Sequence, residues 1–386
     1  MPAGGWCLFE RHMASLIKDE NCFLRWRGVQ GLKGGESWEA VRDLCRAERV
    51  APLSPDEFEA KMREGVKKEE AEAGSGIRFT SGKDLVEHVI PQYEEGFRRF
   101  MSEARELSYG GLGWGVQAIR QLADALSYPL AKGTPLGGLE GLYLQKNQVC
   151  SMSLEALSDA FARGATPSLE RLVLQSNCIG AAGAAAFARA LQGGALGSLR
   201  VLDLRKNQLG DDGLEALTKP LAAGAAPKLS GLLLASNNIG DGGVEALCRA
   251  LAGRPAEART KLVRLSLFGN PIGDAGASAL ATSFRSEQLP ALGALFLGAT
   301  HIGQLGLQAL ASAFVDGGGA RLQKLRLDTD GGAQADIADA GVLALARAME
   351  RGALPLIKDF VVSDGPLGTE HEALKRACDA RGIALQ

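Results

Sequence analysis

Apolar positions recur along this chain in one repeated spacing: Leu, two residues, Leu, one residue, Leu, two residues, then Asn or a substitute. The frames open at Leu139, Leu169, Leu199, Leu229, Leu262, Leu292, Leu322 and, in degenerate form, Ile357. Successive frames lie 30, 30, 30, 33, 30, 30 and 35 residues apart. Within a frame the period changes. Val201-Leu202-Asp203-Leu204-Arg205 alternates with period two, which predicts a short strand with its leucines turned inward. Leu214, Leu217 and Leu221 then follow at helical spacing, after the turn Gly210-Asp211-Asp212-Gly213. Asp211 or Asp212 is expected to act there as an N-cap or first-turn acid for unpaired backbone N–H groups. The same offsets recur at Ile239, Val244, Leu247, Leu251 and at Ile272, Ala277, Leu280, Phe284, and again at Ile302, Leu307, Leu310, Phe314. Each unit is thus a strand, a turn and an amphipathic helix, repeated at a period that marks a stacked array.

Parallel strands stack at about 4.8 Å, whereas helix axes need roughly 8–10 Å. Both can stay in step only if the array bends with its sheet inside. Helices rich in Ala and Gly, such as Ala181 to Ala190, moderate that bend by letting neighbours approach. Asn147, Asn177, Asn207, Asn237 and Asn270 fall where the chain turns inward after each strand. An amide offers donors and acceptors together, so this column is expected to satisfy backbone groups of its own turn and of the next repeat. At the C-terminal end Thr300, Asp330 and Gly365 take the asparagine's place. The long steps add three residues within Arg254–Thr260 and five as Gly331–Ala335, and both places read as surface loops. Counting back from Leu139 predicts one more helix, at Ile119, Leu122 and Leu126, preceded by a worn strand around Ala104, Leu107, Tyr109 and Leu112.

This consensus, carried by "LRVLDLRKNQLGDDGLEALTKPL" and its neighbours, resembles the ribonuclease-inhibitor-like class of leucine-rich repeats. The resemblance is strong over residues 140–350 and looser over 104–386. It implies an α/β horseshoe with an inner parallel sheet and outer helices. It also implies a non-enzymatic scaffold binding a protein partner, since the class holds inhibitors, innate-immune receptors and cytoskeletal regulators. The class further includes the Ran GTPase-activating proteins, so regulation of a small Ran-like GTPase is the alternative. Against it, the stretch Lys375–Gln386 carries none of the acidic tail which that family tends to have.

Before the repeats the chain is built differently. All the tryptophans, at 6, 26, 38 and 114, precede residue 115, and charged residues crowd 56–72. Trp6-Cys7-Leu8-Phe9-Glu10 resembles the WCxxE signature of Toll/interleukin-1-receptor-type domains, in whose NAD-cleaving members the glutamate corresponding to Glu10 is catalytic. A complete domain of that kind would need residues upstream of Met1, so residues 1–30 are read as a remnant, and the chain as a fragment of such a signalling protein in a third reading. Residues 31–103 form a helical linker and cap. Ser54-Pro55-Asp56-Glu57 is a capping box with proline at the first helical position, opening a helix to about Ala73. A second helix is predicted from Lys83 to about Arg105, with Leu85, Val89, Tyr93, Phe97 and Phe100 on one side. It is expected to cover the apolar edge of the first repeat, with the solenoid occupying 104–386.

Net charge and cysteine usage narrow the partner. A net charge of −2 lacks the basic excess that phosphate binding needs, so nucleic acid is not expected. No apolar run suggests a membrane span or a signal peptide. The odd, scattered cysteines at 7, 22, 45, 150, 178, 248 and 378 suit a reducing, cytoplasmic setting in which thiols serve as small core hydrophobes. Gly76–Lys83 lacks P-loop spacing. The acids at Asp328, Asp330, Asp336 and Asp339 lack the glycine an EF-hand loop needs, because Ala333 stands in its place. The histidines at 12, 88, 301 and 371 are far apart, and His301 reads as a solvated loop residue. No cofactor, metal or catalytic group is therefore expected. The candidates are partner-contacting residues on the strands: Tyr143, Arg171, Asp203, Arg205, Arg264, Phe268, Phe296 and Arg326, aromatics and arginines being the usual interface anchors. Because the asparagine column lapses after Asn270, native-state hydrogen exchange should show the last two repeats less protected than the middle ones; equal protection would refute this.

Overall fold

The computed structural model describes residues 50–71, 83–253, 261–327, 339–362 and 369–385. The Trp6–Glu10 motif, the helix end near Ala73, both inserted loops, Asp328, Asp330, Asp336 and Gly365 lie outside the described residues. The chain opens with α1 (Pro55–Ala71), a five-residue π-helical segment (Leu85–Val89) and α2 (Ile90–Glu103). Strands and helices then alternate: β1 (Glu106–Ser108), α3 (Val116–Ala131), β2 (Gly141–Tyr143), α4 (Ser151–Ala162), β3 (Arg171–Val173), α5 (Ala181–Gln192), β4 (Val201–Asp203) and α6 (Gly210–Ala222). They continue as β5 (Gly231–Leu233), α7 (Asp241–Ala252), β6 (Arg264–Ser266), α8 (Asp274–Arg285), β7 (Ala294–Phe296), α9 (Gln304–Val315), β8 (Lys324–Leu327) and α10 (Asp339–Glu350). The array closes with β9 (Asp359–Val362), α11 (Thr369–Asp379) and β10 (Ala384–Leu385).

The ten strands form one open parallel sheet in strict sequence order, the pattern of a leucine-rich-repeat solenoid. Register is set by the leucine at the centre of each strand: Leu142 lies opposite Leu172, Leu172 opposite Leu202, and the column continues through Leu232, Leu265, Leu295 and Leu325. These leucines are buried, sealed from outside by helix residues such as Leu154, Leu157, Leu214 and Leu217. The worn strand at the N-terminal end forms as β1, pairing Glu106 with Gly141. β10, which the period did not foretell, adds to the far edge against β9. Among the described residues no helix is long and apolar enough to cross a membrane.

The N-terminal helices follow the capping box closely. Ser54 N–H donates to Glu57 Oε2 at 3.0 Å while Glu57 N–H donates to Ser54 Oγ at 3.3 Å. Tyr93 stacks on Phe58 at 3.9 Å and donates its hydroxyl to the Leu53 carbonyl, while Phe97 meets Tyr128 of α3 edge-on. The helix expected from Lys83 forms, but its start winds differently from the rest. Pro91 has no N–H to offer at that junction, and Ile90 N–H reaches back five residues to the Leu85 carbonyl, so the first turns wind as π-helix.

After each of β2 to β6 a left-handed residue precedes the asparagine, and after β7 one precedes Thr300. Lys146, Ser176, Lys206 and Ser236 have φ between 53 and 56°, Gly269 has 66° and Ala299 has 51°. That conformation costs a residue with a Cβ about 1–2 kcal/mol, so it persists because something else holds it. In the five asparagine repeats the holder is the amide. Asn207 Nδ2 donates to the carbonyls of Leu174 in the preceding repeat (3.0 Å) and Leu204 in its own (2.9 Å), while its Oδ1 accepts from Ile179 N–H (3.1 Å). Asn147, Asn177 and Asn270 bond across repeats in the same way. At Asn237 only the donor half is used; α6 begins early at Leu209–Gly210, and the Asn237 Oδ1 has no donor among the described residues. Thr300 makes a single bond, to Leu297 of its own repeat.

Asp211 and Asp212 lie in the first turn of α6 as expected, but the bonds of the helix-start aspartates run to the next repeat. Asp211 does not cap its own helix, whose N-cap, Leu209, offers no side-chain bond. Its carboxylate instead accepts from Gly240 N–H at 2.6 Å, at the mouth of the next helix. Asp241 accepts from Gly273 and Gly276 at 2.7 and 2.8 Å, and Asp274 from Gly303 and Gly306, both at 2.7 Å. A Cβ at Gly276 would sit 2.7 Å from Asp241 Oδ1, which explains the glycine. The acid therefore caps the following helix because stacking brings that helix's free N–H groups over it. Replacing Asn207 by Ala would leave buried carbonyls and an N–H unpaired, so it should lower stability by about 3 kcal/mol in urea unfolding; a change below about 0.5 kcal/mol would show the amide to be dispensable.

Candidate functional site

Residues flanking the inward leucines emerge on the inner wall of the sheet, and the eight sequence candidates separate there into three groups. At the N-terminal end, Arg171 crosses from β3 to β1. Its Nε donates to Tyr143 Oη at 2.9 Å and its Nη2 to Glu106 Oε1 at 2.5 Å, while Tyr143 Oη donates to the same carboxylate at 3.2 Å. The Tyr143 ring lies over Gly141, where a Cβ would come within 2.8 Å of it. Hydrogen bonds to Tyr143 and then Glu106 push the Arg171 pKa further up. Glu106 was not singled out from sequence, because it lies on the degenerate strand whose spacing hardly shows.

In the middle of the wall Asp203 is 3% exposed, an unusual burial for a carboxylate. Arg205 covers it, with Nε on Oδ1 at 2.9 Å and Nη2 on Oδ2 at 2.6 Å, and Gln175 takes a further bond at 3.2 Å. The Asp203 bonds raise the Arg205 pKa. Its planar fork geometry makes it a fixed part of the wall rather than a free contact.

Beyond Arg205 the wall opens into a hollow of roughly 440 Å³. Phe268 and Phe296 line it together with Leu233, Ala235, Ser266 and the arginines Arg205, Arg264 and Arg326. Both phenylalanines are half-buried and Arg264 is exposed. Arg264 pairs with no carboxylate among the described residues. Four of the eight candidates, Arg264, Phe268, Phe296 and Arg326, therefore converge, whereas Tyr143, Arg171 and Asp203 are held in internal networks and Arg205 belongs to both. His301 is exposed, at the turn after β7. Among the described residues no three of His, Cys, Asp and Glu gather as metal ligands would.

The family model described as Leucine Rich repeat matches residues 166–188, 198–217, 227–248 and 259–281, and this agrees with the stacked array: the molecule is a leucine-rich-repeat solenoid. No curated protein matches the sequence. Among solved structures it is similar to an internalin (inlF) from Listeria monocytogenes, at 16% identity over 87% of this chain and 97% of that one, with a TM-score of 0.32.

Removing Arg205 leaves the Asp203 carboxylate buried without its partner, so Arg205→Ala should cost about 2 kcal/mol of stability. Arg264→Ala should stay within about 0.5 kcal/mol. Equal losses for the two in urea titrations would contradict this division of the wall.

Proposed function

We propose that this protein is a non-enzymatic scaffold that docks a protein partner on its concave sheet, with the hollow around Phe268 and Phe296 as the principal contact. One observation carries the reading: two half-buried aromatics line a concavity together with three arginines, and one of these, Arg264, pairs with no carboxylate among the described residues. Aromatic side chains give a large apolar area at low entropic cost, and arginine adds planar, charge-assisted hydrogen bonds. The matching surface is a segment that places apolar side chains over the phenylalanines and carboxylates against the rim. The N-terminal part of the wall, where Glu106, Tyr143 and Arg171 satisfy one another, supplies a rigid flank to that contact.

A solenoid suits this role because its sheet is long, open and rigid, and each repeat can vary its exposed residues without disturbing the buried leucines. The proposal is tested by affinity capture with mass spectrometry, comparing the native protein with Phe268→Ala/Phe296→Ala. Partners held by the native chain should bind the double variant about a hundredfold more weakly, since each lost anchor is worth about 1–2 kcal/mol. Undiminished capture by a folded double variant would remove the hollow from the interface. A parallel assay with a Ran-like GTPase distinguishes the rival function: accelerated GTP hydrolysis would replace the scaffold reading with that of a GTPase regulator.

A further inference from the structure

Cysteines were expected to serve as small core hydrophobes, and Cys248 and Cys378 do so. Burial pushes both thiols up to about 11. Cys150 and Cys178 depart from that expectation: Cys150 is half-buried and Cys178 exposed. They are 28 residues apart in sequence, yet stacking makes them direct partners in a parallel β-bridge, just outside the main strands. Cys178 N–H donates to the carbonyl of Val149, the residue before Cys150, at 2.9 Å.

The bridge sets the spacing. Directly paired residues on adjacent strands lie about 4.8 Å apart, within the roughly 4.4–6.8 Å between Cα atoms that a disulfide spans. Neighbouring rungs show which way the side chains face. Gly115 and Gly180 occupy the position of Cys150 in the repeats before and after it. A Cβ at Gly115 would lie 3.8 Å from Gln148 Oε1, and one at Gly180 would lie 3.9 Å from the Gln208 carbonyl oxygen. Gln148 and Gln208 stand where Cys178 stands, so a Cβ at the Cys150 position comes within 4 Å of that residue of the next repeat. In this one rung both places are cysteine.

The thiols also differ in reactivity. Cys150 is the N-cap of α4, with extended φ and ψ of −115° and −179°. Burial raises its pKa, but bonds from the Ser153 N–H, the Ser153 hydroxyl and the Met152 N–H outweigh burial and hold the thiol below its ordinary range. A thiolate facing a helix N-terminus is the reactive partner of a pair, and an exposed second thiol is the one that resolves it.

We propose that Cys150 and Cys178 form a reversible disulfide on exposure to a peroxide-class oxidant, a modification site that joins the repeats of β2 and β3. The Cys150 thiolate attacks one peroxide oxygen and the O–O bond breaks, leaving a sulfenic acid on Cys150 and hydroxide, which takes up the thiol proton as water. The Cys178 thiolate then attacks the Cys150 sulfur, the S–O bond breaks, and the departing hydroxide leaves as a second water. Two thiols are oxidised by two electrons, and one hydrogen peroxide is reduced to two waters. A thiol reductant reverses the step by exchange.

The test treats the full chain with hydrogen peroxide near stoichiometry, blocks the remaining thiols and digests with trypsin without reductant. Cleavage after Lys146, Arg163, Arg171 and Arg189 places the two cysteines in separate peptides, 147–163 and 172–189. The expected result is a single species joining those peptides, lost on adding dithiothreitol, with Cys248 and Cys378 still alkylated as free thiols. In Cys178→Ser the joined species should vanish and dimedone should label Cys150 as sulfenic acid. The proposal is overturned if Cys150 oxidises no faster than Cys248, or if the joined peptides come from two different chains when isotopically light and heavy protein are mixed. It is likewise overturned if native Cys150 runs on to sulfinic acid without joining Cys178.

Discussion

Each ladder asparagine amide sits between two rungs and bonds to both, and the rest of the solenoid depends on that clamp. The residue before it must turn left-handed to carry the chain from the inner wall into the core. Lysine and serine accept that conformation at a cost, and a side chain that satisfies carbonyls of two repeats together offsets it. With the turn held, the central leucines fall into register over one another. Once they do, every residue beside them is assigned to the inner wall.

Two polar columns share the task of stacking, and they overlap rather than coincide. The amides run from Asn147 to Asn270 on the strand side. The carboxylates run from Asp211 to Asp274 on the helix side, each closing the free N–H groups of the next helix. Where the amide at Asn237 loses its acceptor role, Asp211 and Asp241 already bind the neighbouring helices. A repeat protein has only nearest-neighbour contacts to draw upon, so such bridges matter more here than in a globule, where distant elements also lend support.

The inner wall shows how like residues come to do unlike work. Arg171 and Arg205 are consumed by carboxylates on their own surface, and their guanidinium planes are fixed. Arg264 stands on a strand whose neighbours, Gly231 and Ala294, offer no acid in register. Charge that is paired within the chain contributes rigidity; charge left facing solvent beside apolar surface is available to another molecule. The division follows from whether an acid lies within reach: two rungs away for Arg171, and two residues away on the same strand for Arg205.

The 30-residue spacing alone determined the strand–helix unit, the inward leucines, the role of the amides' position and the columns that face the hollow. These are properties of local period, and a repeat copies its local rules. Stacking decided the rest. Asp211 looks like the cap of its own helix, and only the offset between rungs delivers it to Gly240. Nothing in the spacing pairs Glu106 with Arg171, 65 positions away, and nothing joins β10 to the sheet. Cys150 and Cys178 read as unrelated thiols until the array sets them side by side. A sequence states what each rung is made of; which atoms of one rung meet those of the next is decided by the rise, stagger and bend of the assembled coil.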